Sequence, residues 1–291
     1  MKGLILLNKP KDMTSFGAVS RVRRIMGEKK AGHTGTLDPM ATGVLPVLLG
    51  SATKLSDYLL AADKSYTATM RLGITTDTLD ITGTVLSTHK VDATKQDVLN
   101  ALAGFRGEIL QTPPMYSAIK QNGQPLYKLA RKGIEAERTA RKVTIYEIEL
   151  LEQLSSTDFT VSVRCSKGTY IRSLVADIGK TLGCGATLTE LCRTSTGGFS
   201  IENCITLERL EQDSAAYLQS AVKAVEHLPC VEVTNKQATR FSNGGELDLS
   251  RLKGDSWNTD EPIRVMCDGE LVGIGSVDNE NQALKIKCVI K

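Results

Sequence analysis

One stretch of this 291-residue chain concentrates groups that do chemistry among residues that hold a backbone still: Gly32-His33-Thr34-Gly35-Thr36-Leu37-Asp38-Pro39-Met40-Ala41-Thr42-Gly43-Val44-Leu45-Pro46. Its glycines and prolines predict a tightly turned loop held against a core, a common place for functional groups on a rigid scaffold. Asp38 is its one carboxylate and His33 its one imidazole. A carboxylate so placed can serve as a nucleophile or general base. Before Pro39 it serves equally as a turn or cap residue, and His33 as a partly exposed loop histidine. Composition alone leaves both uses open. A histidine-assisted hydrolase is disfavoured, because no nucleophile motif such as Gly-x-Ser-x-Gly accompanies the loop. No metal is expected: seven scattered cysteines (165, 184, 192, 204, 230, 267, 288) form no Cys-x-x-Cys pair, and only three histidines (33, 89, 227) exist to complete a site. The same cysteine pattern argues for free thiols in a reducing compartment rather than a disulfide framework.

The elements that must position this loop are legible on either side of it. Leu4 to Leu7 predicts a buried strand. Thr14 or Ser15 can cap a helix whose Phe16, Val19, Val22 and Ile25 recur on one apolar face before Gly27 ends it. Leu55, Tyr58 and Leu59 suggest a short helix before Lys64, and alternation puts Tyr66, Ala68, Met70 and Leu72 on one face of a strand. Further strands are predicted over 83–88, 106–110, 143–151 and 159–165, and helices over 95–103, 126–131 and 171–182. Strands in unequal clusters with long connections do not fit a doubly wound sheet, so the fold class is α+β with a mixed, largely antiparallel sheet. The texture changes near His227-Leu228-Pro229. The division is therefore 1–229 followed by 230–291, the latter a small β barrel or sandwich of short strands over 230–233, 263–267, 271–277 and 284–290.

Net charge is only +3, from 36 lysines and arginines against 33 acids, but it is unevenly spread. Residues 1–54 hold nine basic and three acidic side chains and 113–142 hold seven and two, whereas 230–291 sum to −2. Two basic blocks in the first half can draw in a polyanion by its phosphates. The apolar run at the N-terminus is too short for a signal peptide or membrane span, so a cytoplasmic protein without a membrane partner is expected.

The loop sequence Gly32 to Pro46 resembles the catalytic loop of the TruB family of pseudouridine synthases, and the resemblance extends along nearly the whole chain. Asn8-Lys9-Pro10 with Thr14-Ser15 is similar to the family's opening motif. Lys64-Ser65-Tyr66, Arg71-Leu72-Gly73 and Thr76-Asp77-Thr78-Leu79-Asp80 resemble its second, Pro113-Pro114-Met115-Tyr116-Ser117-Ala118 its third, and Gly168-Thr169-Tyr170-Ile171-Arg172-Ser173-Leu174 its last catalytic one. Residues 230–291, with Asp268-Gly269 and Gly273-Ile274-Gly275, are similar to the PUA barrel of RNA-modifying enzymes. Three departures stand out: Asp12 where the opening motif has Gly, Cys192 and Thr194 around Arg193 where the family repeats arginine, and Thr187 in place of a common histidine.

The resemblance implies a cofactor-independent isomerase that converts the T-loop uridine at tRNA position 55 to pseudouridine. The N1–C1′ bond is broken, the base turned, and the ring rejoined through C5. Asp38 is then the catalytic carboxylate, attacking C1′ or C6 or removing the C2′ proton. The resemblance gives Arg172 as its partner and Asp80 as the carboxylate that engages Arg172 in turn, with Lys9 in support. Tyr66 stacks on the target base and offers its hydroxyl for the C5 proton; Tyr170 and Leu191 line the pocket. His33 stacks within the T loop and fills space left by the flipped base. The implied partner is the tRNA T-arm, with no obligatory protein partner and a monomeric enzyme. The rival expectations are a guide-RNA-dependent relative of the same family and a non-catalytic tRNA chaperone.

Overall fold

The computed structural model describes residues 2–121, 123–253 and 261–290. Nine strands form the main sheet: β1 (Gly3–Lys9), β2 (Ala31–His33), β3 (Thr42–Leu49), β4 (Lys64–Leu72), β5 (Gly107–Gln111), β6 (Arg141–Gln153), β7 (Asp158–Cys165), β8 (Ala186–Thr196) and β9 (Phe199–Ser200). Their order is β1-β3-β8-β4-β7-β6-β5, with β2 on β3 and β9 on β8. Every pairing is antiparallel except β3 with β8, where Thr42 and Gly43 lie opposite Cys192 and Arg193. The expected mixed, largely antiparallel α+β architecture is what the chain adopts.

Among the described residues, the three longest helices of this part pack on the sheet. α1 (Ser15–Ile25) is capped by Thr14, whose Oγ1 accepts from Gly17 N at 2.9 Å, and Gly27 ends it at φ +62°. α2 (Lys95–Gly104) starts in a Thr94/Asp97 capping box. α3 (Ile171–Thr181) buries Ile171, Leu174, Val175 and Ile178 and packs on β8. The buried stripe of α1 is Ser15, Ala18, Val19 and Val22, which turns Phe16 outward instead of into the predicted apolar face.

The longest correction concerns β8. No strand is predicted over 186–196, yet this strand is inserted between β3 and β4 at the centre of the sheet. Its run Leu188-Thr189-Glu190-Leu191-Cys192-Arg193 interrupts clean alternation, and the register against β4 shifts twice, after Leu188 and after Arg193. His33 also differs from expectation: it is the last residue of β2, paired with Val47, rather than part of the loop proper.

The second sheet contains β10 (Cys230–Glu232), β11 (Leu247–Asp248), β12 (Ile263–Cys267), β13 (Glu270–Asp278) and β14 (Ala283–Val289), ordered β10-β12-β13-β14-β11 in a curled half-barrel. A helix, α4 (Asn235–Ser242), seats Phe241 in its core, an element that the strand-and-turn reading of this region lacks. Leu4, Leu6, Leu48, Leu55 and Leu59 of the first part share one apolar cluster with Met266, Leu271, Ile274 and Ile290 of the second. Among the described residues no helix is long and apolar enough to cross a membrane.

Candidate active site

The Asp38 loop is the turn between β2 and β3, and neighbouring elements fix its backbone almost residue by residue. Ser15, the first residue of α1, uses its buried hydroxyl twice: Oγ donates to Leu37 O at 3.0 Å and accepts from Leu37 N at 2.8 Å. Lys9, at the end of β1 and fully buried, donates from Nζ to Pro10 O, Met13 O and Pro39 O at 2.7, 2.6 and 3.2 Å. Burial lowers its pKa to about 8, against the opposing pull of Asp38 and Asp12. Arg193 of β8 donates from Nε to Val44 O (2.8 Å) and from Nη2 to Gly35 O (3.2 Å). The peptides on either side of Asp38 are thus held from three directions, and Ala41 N closes the turn on Asp38 O at 3.1 Å.

The carboxylate meets a buried guanidinium. Arg172, in the first turn of α3 and only 4% exposed, places Nε 2.9 Å from Asp38 Oδ2 and donates from Nη2 to Oδ1 at 3.1 Å. Its Nη1 donates to Thr78 O at 2.9 Å and lies 3.4 Å from Asp80 Oδ2, and Nη2 also donates to Tyr116 O at 2.7 Å. Asp80 is held in turn: its Oδ1 accepts from Thr78 Oγ1, Thr82 N and Thr82 Oγ1 at 2.9, 3.0 and 2.5 Å. Asp38, Arg172 and Asp80 therefore form one chain of charge from the recess into the core, each link hydrogen-bonded.

The Asp38 side chain keeps 32% of its surface open to solvent. Burial of the recess raises its pKa above the ordinary carboxylate range; Asp80 adds to the rise, while Arg172 and Lys9 oppose it. The group is partly desolvated and still reachable, as a nucleophile or base must be.

Tyr66 on β4 lies directly opposite Arg193 on β8, and Leu191 opposite Ala68. The Tyr66 phenol is pushed up to about 12 by burial, with the Arg193 guanidinium pulling the other way. Tyr170 caps α3 two residues before Arg172. Buried Gln111 grips its backbone on both sides, accepting from Tyr170 N at 2.8 Å and donating to Tyr170 O at 3.1 Å. Its ring is half-buried. His33 is half-buried too, its pKa lowered by burial and by Arg193, and its Nδ1 has no hydrogen-bond partner. Asp38, Arg172, Asp80, Lys9 and Tyr66 thus gather around one recess; no hydrogen bond or ion pair joins His33 to it.

Ser15, Gln111 and Arg193 are positioning residues that the sequence reading did not single out. Ser15 stands within the opening motif, so a signal existed. Arg193 is named there only within the departure from the family's repeated arginine, and Gln111 lies one residue past the strand predicted over 106–110. The departure at Asp12 also gains a physical basis. Its φ is +60°, the left-handed region that glycine enters without strain. The position of the common histidine, Thr187, is fully buried, with Oγ1 3.1 Å from Thr76 Oγ1.

Comparison with known proteins gives one consistent picture. The family model described as "TruB family pseudouridylate synthase (N terminal domain)" matches residues 23–171, and that of the "tRNA pseudouridylate synthase B C-terminal domain" matches 172–228. A tRNA pseudouridine synthase B of Azoarcus sp. (strain BH72) is 48% identical over 277 residues, covering 94% of this chain and 90% of its own. The protein of the same name from Clostridium tetani is 46% identical, over 96% and 97% of the two chains. Among solved structures, a chain of a Cbf5-Nop10-Gar1 complex superposes with a TM-score of 0.76 at 31% identity, covering 99% of this chain and 85% of that one. A chain of an H/ACA RNP bound to a substrate RNA containing 2'-deoxyuridine gives 0.74 at 29%, with the same coverage.

Proposed function

Since the chain belongs to the TruB family of pseudouridylate synthases, we propose that Asp38 is the carboxylate with which this enzyme isomerises uridine in tRNA, at T-loop position 55, to pseudouridine. The observation that carries the assignment is the two-point contact of Arg172 with Asp38 in a recess that also holds Tyr66. Arg172 favours the ionised carboxylate and fixes where its oxygens point, so that one of them faces the ribose C1′ or C2′ or the base C6 of a flipped nucleotide. The three routes share that geometry. In each, the N1–C1′ bond breaks, C5 replaces N1 on C1′, the proton on C5 leaves and N1 ends protonated. Tyr66 supports two of these needs. Its ring offers a stacking face for the extruded uracil, and its hydroxyl, which burial keeps protonated against the pull of Arg193, is assigned to relay the C5 proton, giving up its own as it takes that one up. Tyr170 and Leu191 are assigned to the pocket wall, and His33 to stacking within the T loop.

The test is a tritium-release assay with 5-[³H]uridine-labelled T-loop RNA, free of guide RNA, partner protein and metal. Parent enzyme should turn over, and Asp38→Asn should lose at least about a thousandfold while its tRNA affinity stays within about threefold, since one carboxylate is a small part of a many-phosphate grip. Residual activity within tenfold of the parent would remove Asp38 from the chemistry. The likeness to Cbf5 chains solved in complexes motivates a second reading, a guide-dependent synthase. Turnover of unguided tRNA by this chain without any other protein decides against it.

A further inference from the structure

The reaction leaves part of the basic N-terminal block unused. α1 contains no acidic residue, and of its three arginines only Arg21 is neutralised, with Nε and Nη2 at 3.0 and 2.8 Å from Glu211 Oε1. Arg23 and Arg24 are exposed, as are Lys29 and Lys30 in the turn beyond the helix, and among the described residues none of the four pairs with a carboxylate. Glu28, the acid adjacent to them in sequence, accepts from the backbone N–H groups of Lys29 and Lys30 at 2.8 and 3.4 Å.

Helical spacing puts Phe16, Ser20, Arg23 and Arg24 on one outward face. Phe16 is 76% exposed, more than any other large apolar side chain among the described residues. Burial in the core gives that ring nothing, because the apolar stripe of α1 runs through Ala18, Val19 and Val22 instead.

Both ends of this face are tied to the Asp38 loop. Phe16 follows Ser15, whose hydroxyl brackets the Leu37 peptide. Lys29 and Lys30 lead into β2, which ends at His33, and α1 packs along β2. The ring of Phe16 therefore stands on the helical turn whose Ser15 holds the Asp38 loop, with Arg23 and Arg24 about 11–12 Å further along the helix at 1.5 Å per residue and Lys29 and Lys30 beyond its end.

We propose that this face of α1 is a second contact for the substrate RNA. Arg23, Arg24, Lys29 and Lys30 neutralise phosphates outside the target nucleotide, and Phe16 stacks on an unpaired base next to the recess. The proposal rests on the RNA reading above. A merely structural role for Arg23 and Arg24, favourable charge at a helix C-terminus, would change stability and not salt dependence.

The experiment measures binding of an unmodified tRNA transcript across a KCl series, with single-turnover kinetics and melting temperatures in parallel. The quadruple variant Arg23→Gln/Arg24→Gln/Lys29→Gln/Lys30→Gln should lower the slope of log K against log salt by about three, and weaken binding at 0.1 M salt by at least about tenfold. Its saturating rate should stay within about twofold of the parent. The charge-keeping pair Arg23→Lys/Arg24→Lys should bind within about twofold. Phe16→Ala should weaken binding by about fivefold or more, while Phe16→Trp should bind like the parent and show indole quenching when RNA is added. A quadruple variant that melts like the parent and keeps its salt slope overturns the proposal, as does one whose saturating rate falls at unchanged affinity. A parent enzyme that fails to modify tRNA would sink the reading of the previous subsection. An active parent with an unaltered variant slope sinks only this one.

Discussion

In the proposed role Asp38 must be ionised, in a recess that raises its pKa, and of the two cations that limit the rise Arg172 has the larger effect. Two expectations follow at this scale. The acid limb of the single-turnover pH profile should lie above the free-aspartate value of 3.8, and Arg172→Gln should move it to higher pH as well as slow the reaction. A limb that stays in place in Arg172→Gln would mean that the arginine orients Asp38 without tuning it. The stability consequence has the opposite sense to an ordinary ion pair. A carboxyl whose folded pKa is raised stabilises the fold fully below the unfolded value and loses that contribution as pH rises through the folded one. Asp38→Asn should therefore be at least as stable as the parent at neutral pH, which denaturant titration checks. At Tyr66 the ring and the hydroxyl separate cleanly. Tyr66→Phe should retain RNA affinity and lose most turnover, whereas Tyr66→Ala should lose both. A fully active Phe variant would leave the ring with stacking alone.

At the scale of elements, the loop is as rigid as the clamps around it. Ser15→Ala orphans the buried N–H and C=O of Leu37, at a cost of about 1–3 kcal/mol in denaturant unfolding, and it should slow turnover by about tenfold or more through a displaced Asp38. Unchanged turnover would show that Lys9 and Arg193 suffice to hold the turn. Gly43 is constrained more severely. At φ +105° a Cβ would lie 2.2 Å from the Arg193 carbonyl oxygen across the one parallel register, so Gly43→Ala must push β3 and β8 apart. Legibility followed the same division. The alternation of Tyr66, Ala68, Met70 and Leu72 and the capped periodicity of α1 are local patterns, and β4 and α1 stand where those patterns predicted. β8 was hidden because its burial comes from neighbours on both sides, so the strand carries Thr189, Glu190 and Arg193 without the two-residue rhythm. Phe16 was misplaced because spacing of three residues fits either edge of an apolar stripe. The Arg172 motif was readable by resemblance, but its grip on Thr78 O and Tyr116 O depends on segments 94 and 56 residues away in the chain.

Across the whole molecule, the half-barrel is joined to the main sheet by more than its linker. Leu4, Leu6, Leu48, Leu55 and Leu59 face Met266, Leu271, Ile274 and Ile290, and Lys54 Nζ donates to Val289 O at 2.8 Å. Deleting 230–291 would leave that apolar surface in water, so the truncated chain should melt lower and aggregate more readily than the full one. A truncated chain with the parental melting temperature would show that the cluster contributes little. The central place of β8 also has a consequence for how the enzyme is made. β3 and β4 each lack a neighbour until residues 186–196 arrive, so the sheet that carries Asp38 stays open through two-thirds of biosynthesis. At about 5–20 residues per second the ribosome takes roughly 10–40 s to reach the end of that strand. From the completion of β4 to that point two unpaired edges of a hydrophobic sheet are exposed to other nascent chains and to chaperones. Ribosome-bound chains stalled before residue 186 should accordingly be cut readily by protease within 42–72, and chains released after residue 196 should resist.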